Sequence, residues 1–146
     1  MILEGKQEFA LSRERLFDAL HNPEILRKCT PGCQAVTVVE ENELEMALKV
    51  GIAVVSGSYK GKMKMTDNLR PESYKMQVSG VGPIGVMTVN GDIRLNENGE
   101  GTVMQYSFDV KIGGAMANLG LRALNPIAKM LMKEFFNNVS REASIE

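Results

Sequence analysis

The chain has 146 residues, with 17 Lys plus Arg against 18 Asp plus Glu and a formal net charge of −1. That balance excludes a general nucleic-acid binder, which needs a basic surplus to displace counterions. No run of about 18 apolar residues occurs, so no transmembrane helix is expected. The start, Met1-Ile2-Leu3-Glu4-Gly5-Lys6, lacks the cationic head and long apolar stretch of a secretory signal. Two cysteines are too few for a disulfide scaffold, so one domain over residues 1–146 in a reducing, cytoplasmic setting is expected.

In chain order, residues 3–11 read as a strand. Ser12 is placed to cap a short helix from Arg13 to Leu20, with Leu16, Phe17 and Leu20 on its apolar side. Asn22 is placed to cap a second, which opens on Pro23 and stops at Pro31-Gly32 between Cys29 and Cys33. Strands follow. Ala35 to Glu40 is one; after a turn at Glu41-Asn42-Glu43, the residues Leu44, Met46, Leu48, Val50, Ile52 and Val54 alternate as a half-buried strand. Tyr59, Gly61, Met63 and Met65 face inward on the next, with Lys60, Lys62 and Lys64 outward. Beyond a turn at Arg70-Pro71-Glu72, the inward sets are Tyr74, Met76 and Val78, then Met87, Val89, Gly91, Ile93 and Leu95. Asn98-Gly99 signals a hairpin, and Thr102, Met104, Tyr106, Phe108 and Val110 form the last inward set. Short turns between consecutive strands imply an antiparallel meander with one wet face.

At Gly113-Gly114 the period changes. Met116, Leu119, Ala123, Ile127, Met130 or Leu131, and Phe135 recur every three or four residues. This predicts an amphipathic helix from about Ala115 to the C-terminus, roughly 45 Å long at ~1.5 Å per residue. Pro126 lies inside it and predicts a kink.

Several motifs invite chemical readings. Gly80-Val81-Gly82-Pro83-Ile84-Gly85 fits G-x-G-x-x-G, but dinucleotide binding needs a helix directly after it, and a strand follows. A flexible hairpin and a loop gating a cavity mouth, with Gly80, Gly82, Pro83 and Gly85, remain as alternatives. Cys29 and Cys33 have only His21 and Glu24 nearby, too few soft ligands, so no metal site is expected. They read either as a reversible redox pair or as two small apolar residues packing a turn. His21, the sole histidine, suits a helix end interacting with the last carbonyls. Nothing pairs it with a nucleophile, and no catalytic residue, cofactor or buried carboxylate pair is expected. The lysine stripe is a solvated sheet face or a contact for anionic lipid or an acidic protein. Of ten methionines, Met46, Met63, Met65, Met76, Met87, Met104, Met116 and Met130 fall on inward faces. They fit a methionine-filled core or a cavity shaped for an irregular apolar guest.

Asn22-Pro23-Glu24-Ile25-Leu26 with Cys29, Pro31, Gly32 and Cys33 resembles the N-P-E-x-L-x-x-C-x-P-G-C signature of the carbon monoxide dehydrogenase CoxG-like family. That family lies within the SRPBCC, START-like and birch-allergen-like helix-grip domains. Tyr59-Lys60-Gly61-Lys62, Gly80 to Gly85, Gly101-Thr102 with Tyr106, and Gly113-Gly114 through Phe135-Phe136 resemble later parts of the same pattern. The resemblance implies an α+β helix-grip fold: a curved seven-stranded antiparallel sheet, two short helices after the first strand, and a long C-terminal helix packed on the sheet. It also favours the cavity over the filled core. The expected lining is Met46, Leu48, Met63, Met76, Tyr106 and Phe108 from the sheet, with Leu119, Ala123, Ile127 and Met130 from the helix.

The implied function is non-catalytic binding of a lipid- or quinone-like molecule, accessory to a carbon monoxide dehydrogenase or related molybdenum hydroxylase. The alternatives are an accessory role through protein or membrane contact without a ligand, and a cyclase- or hydrolase-type enzyme. Many members of that family continue into a tail thought to reach the membrane, whereas this sequence ends on the polar Arg141-Glu142-Ala143-Ser144-Ile145-Glu146. Membrane contact is therefore expected to be weak and peripheral, at the inner face.

Overall fold

Local capping sets the two helices that follow the first strand, β1 (Ile2–Phe9). In the computed structural model, which describes residues 1–145, the Ser12 side chain accepts the Arg15 N–H at 3.3 Å and opens α1 (Arg13–Leu20). Asn22 Oδ1 accepts the N–H groups of Glu24 and Ile25 at 2.9 and 3.4 Å and opens α2 (Pro23–Cys29). Six strands follow: β2 (Cys33–Glu40), β3 (Glu43–Val50), β4 (Gly57–Leu69), β5 (Ser73–Gly82), β6 (Gly85–Asn98) and β7 (Gly101–Gly113). A helix, α3 (Leu121–Ile145), completes the fold.

The strands form one seven-stranded sheet in the order β1-β7-β6-β5-β4-β3-β2, each pair antiparallel. The chain leaves one edge after β1 and re-enters at the other edge as β2, with α1 and α2 carrying it across. Partners directly opposite share a face. One inner row therefore runs Leu44, Met63, Val78, Val89, Val110, and another runs Met65, Met76, Gly91, Phe108, Leu3. Every inward set expected from the alternation between Tyr59 and Val110 lies on this face, and Gly61 and Gly91 cause no slip of register.

The alternation beyond Val50 does not continue as a strand. Ala53–Val55 forms a 3-10 turn, closed by the Val55 N–H on the Ile52 carbonyl at 2.9 Å. The period moves from two to three, so Val55 is buried while Val54 stands 50% exposed. The long helix also starts later than Ala115. A 3-10 segment, Gly114–Leu119, ends at Gly120 with φ 78°, and α3 begins at Leu121. Its 25 residues give a length of roughly 37 Å. The helix assignment continues through Pro126.

Two apolar clusters hold α3 to the sheet. In the larger, Leu16, Leu26, Leu95, Met104, Phe136 and Val139 meet between α1, α2, the sheet and the C-terminal part of α3. Asn138 Nδ2 donates to the Cys29 carbonyl at 3.0 Å and ties α3 to α2. The buried Thr102 hydroxyl is satisfied by the Leu11 carbonyl at 2.7 Å. In the smaller cluster, Val55, Met116 and Leu124 pack with Ile52, Tyr59 and Ile127 at the other end of the helix. Leu16 is fully buried in the larger cluster. Leu16→Ala is expected to lower stability by about 2–5 kcal/mol through the lost transfer energy and the void left behind, measured by urea unfolding.

Candidate functional site

Between the two clusters lies a cavity of about 540 Å³, within the size range of small-molecule sites. Met63, Met65, Tyr74, Met76, Ile93, Met104 and Phe108 form its sheet wall. Met130, Leu131, Met132 and Phe135 face it from α3, while Leu20 and Leu26 contribute from the short helices. Six of the lining side chains are methionines, which suits an irregular apolar guest because the thioether is flexible and polarizable. Polar side chains are few: Thr30, Lys49 and Glu134, besides the Tyr74 phenol.

The stretch from Asn22 to Cys33 brings Thr30, Pro31 and Gly32 to the cavity beside Lys49, Val50, Gly51 and Ile52. The Thr30 N–H closes on the Leu26 carbonyl at 3.0 Å, and the Cys33 N–H on the Thr30 carbonyl at 3.0 Å. The Lys49 N–H donates to the Gly32 carbonyl at 2.8 Å, fastening the turn to β3. Gly32 has φ 75°, and a Cβ there would run into the Lys49 carbonyl oxygen. Only glycine meets both demands. This motif is thus a piece of the cavity's wall.

Cys29 is buried and Cys33 half-buried, and both are free thiols. Burial pushes the Cys29 thiol up to about 11 and raises Cys33 as well, so neither sulfur is activated as a thiolate near neutral pH. Among the described residues, no group of three or more His, Cys, Asp or Glu side chains is arranged to hold a metal. His21 ends α1, with Nδ1 2.7 Å from the Phe17 carbonyl and Nε2 2.8 Å from Asn68 Oδ1. Its ring stacks on Phe17 and meets Tyr74 edge-on, behind the cavity wall.

Of the ten residues expected to line a cavity, Leu48, Met63, Met76, Phe108 and Met130 lie on this one. The other five lie elsewhere. Met46 is buried at a different level of the sheet, between Val36 and Gly61. Tyr106 stacks on Phe108 and tilts against Phe136, at ring separations of 5.5 and 5.4 Å. Leu119 and Ile127 pack into the smaller cluster, and the half-buried Ala123 adjoins that cluster's Leu124. The physical reason is the late start of α3: its first turns anchor the helix, and only the stretch from Met130 onward spans the gap.

The glycine-rich segment is likewise not a mouth loop of this cavity. Gly80 and Gly82 belong to β5 and Gly85 to β6, leaving Pro83-Ile84 as a two-residue tip. The Tyr59 ring lies over Gly82, the Pro83 ring lies over Gly57, and the Ile84 carbonyl accepts the Met116 N–H at 2.6 Å. These contacts pack the hairpin against the smaller cluster. Met65, Tyr74 and Met104 were legible as inward residues, although not as cavity wall. The Thr30–Gly32 turn carried no such signal.

A curved antiparallel sheet gripping a long C-terminal helix, with two short helices bridging its edges and an apolar cavity between, defines a helix-grip domain. The sequence profile of the carbon monoxide dehydrogenase CoxG family matches residues 5–144, and the chain belongs to that family, whose members are non-catalytic binding proteins. The crystal structure of a conserved protein from Geobacillus kaustophilus is similar at 32% identity and a TM-score of 0.95, over 99% of this chain and 95% of that one. More distant structures share the fold. Ara h 8.0201 is 16% identical with a TM-score of 0.73, over 100% and 99% of the two chains. The Zhui aromatase/cyclase from Streptomyces sp. R1128 is 17% identical with a TM-score of 0.69, over 99% and 93%. No curated protein matches the chain. Among the described residues, no helix is long and apolar enough to cross a membrane.

The Gly32 geometry makes a direct prediction. Gly32→Ala forces a side chain onto the Lys49 carbonyl at positive φ, and a loss of about 1–3 kcal/mol is expected, measured as a fall in melting temperature with displaced amide resonances around Lys49.

Proposed function

We propose that this protein is a non-catalytic carrier of a hydrophobic, lipid- or quinone-like molecule, held between the sheet and α3, and that it serves a carbon monoxide dehydrogenase or related molybdenum hydroxylase. The observation that carries the binding role is the cavity of about 540 Å³ walled by methionines and other apolar side chains. An aqueous interior of that size and lining is unfavourable, and an apolar guest removes both its surface and the cavity's from water. Family membership supports the choice of partner. The polar groups at the cavity are a poor set for acid–base work, and the nearby thiols are held protonated by burial.

Filling the cavity tests this reading. Titration with the uncharged fluorophore N-phenyl-1-naphthylamine is expected to show saturable binding to the wild type. Met63→Trp, which adds bulk on the sheet wall, is expected to weaken that binding at least tenfold with little change in melting temperature. Ile127→Trp instead overpacks the smaller cluster, and should cost about 1–3 kcal/mol of stability while leaving the cavity able to bind. Absence of saturable binding by the folded wild type overturns the carrier reading.

In this proposal the protein works on the cytoplasmic side of the inner membrane and meets it only peripherally. Lys60, Lys62 and Lys64 stand exposed on the outer face of β4. Lys64 pairs with Glu43 at 3.2 Å, and Glu45 faces Lys62 across the strands, which weakens the stripe as an anionic-lipid contact. Sedimentation with anionic liposomes is therefore expected to be weak at low salt and lost at about 0.5 M salt, where the screening length falls to a few ångströms. Tight, salt-insensitive binding would contradict it.

A further inference from the structure

Three tyrosines lie on the inner face of the sheet, and their hydroxyls have different surroundings. The Tyr59 hydroxyl donates to the Val55 carbonyl at 2.6 Å. Tyr106 is only half-buried and lies against Gly5, away from the cavity wall. Tyr74 is 4% exposed and lines the cavity, yet its hydroxyl has no hydrogen-bond partner among the described residues. Phe17 packs edge-on against its ring at 5.5 Å and His21 at 4.4 Å, so the side chain is held in place away from bulk water.

A buried tyrosine ordinarily finds a partner for its hydroxyl. Here the neighbouring wall supplies Met65, Met76, Ile93 and Met104, none of which is a good acceptor. Burial also pushes the phenol well above its ordinary range and keeps the proton on it. The group is therefore a donor, fixed in an apolar wall and without an internal acceptor.

We propose that Tyr74 is the polar subsite of the cavity, and that its hydroxyl donates a hydrogen bond to a carbonyl or ester oxygen on an otherwise apolar guest. This deepens the carrier reading and rests on it. The ligand class narrows from any hydrocarbon to molecules that bury an acceptor oxygen among apolar atoms. The hydroxyl also gives the guest an orientation, because the remaining polar side chains at the cavity, Thr30, Lys49 and Glu134, come from α2's end, β3 and α3.

A matched pair of ligands tests it. Hexanophenone and hexylbenzene share a skeleton and differ by one carbonyl, and each is used to displace N-phenyl-1-naphthylamine from the wild type and from Tyr74→Phe. The substitution keeps the ring and its packing. It is expected to weaken hexanophenone by about three- to tenfold and to leave hexylbenzene unchanged within a factor of two. Equal weakening of both, or of neither, overturns the subsite while leaving the carrier reading intact. Failure of hexylbenzene to displace the probe from the wild type removes the carrier reading and this inference with it. A second measurement needs no variant: the infrared carbonyl stretch of hexanophenone bound to the wild type should lie below its value in hexane. An unshifted stretch also overturns the proposal.

Discussion

A seven-stranded sheet presents more apolar face than one helix can cover, and this mismatch governs the rest of the molecule. The inner rows from Leu3 to Val110 must be removed from water, and α3 is the only long element available to do so. It is held at both ends. The larger cluster secures Phe136, Val139 and Ala143, and the smaller secures Leu124 and Ile127. Between these anchorages, curvature of the sheet leaves space that the side chains do not fill. Protein interiors ordinarily close such spaces to crystal-like density. Here the helix is pinned beyond the gap on either side, and collapse would mean giving up one of the two contacts.

The choice of side chains fits that arrangement. Leucine and isoleucine fill a core with few rotamers, whereas methionine has three rotatable bonds and adapts to neighbours of different shape. The cavity is walled by methionines from β4, β5, β7 and α3, while both clusters are richer in Leu, Ile, Val and Phe at their buried centres. The molecule thus separates a rigid perimeter from an adaptable middle. The Thr30–Gly32 turn belongs to the perimeter, since its backbone is fastened to β3 and its glycine admits no side chain.

Much of this was legible in the sequence, because the signals are local. Ser12, Asn22 and Pro23 set the helix starts by capping, and strict alternation set the inner face of each strand from Tyr59 to Val110. Position along those faces was not legible. Met46 and Met63 carry the same alternation signal, yet only Met63 reaches the cavity, because that depends on where α3 crosses the sheet. The crossing depends in turn on Gly120, whose positive φ delays the helix and shifts Leu119, Ala123 and Ile127 toward the end wall. The hairpin around Pro83 misled for a related reason. Glycines suggest freedom when read in sequence, but Gly82 and Gly85 are small because Tyr59 and the Gly113–Met116 backbone lie against them.

The position of Met130 has a kinetic consequence. It lines the cavity and is also 50% exposed, so it marks a boundary between interior and solvent. Exposed side chains change rotamer in picoseconds to nanoseconds, far faster than strands part or helices unfold. A guest passing Met130 breaks none of the sheet's ladder hydrogen bonds and disturbs neither anchorage of α3. The time a guest stays is then set by its own apolar contacts and by the swing of a few thioethers. The lifetime of the fold is set separately, by the two clusters that hold the helix down.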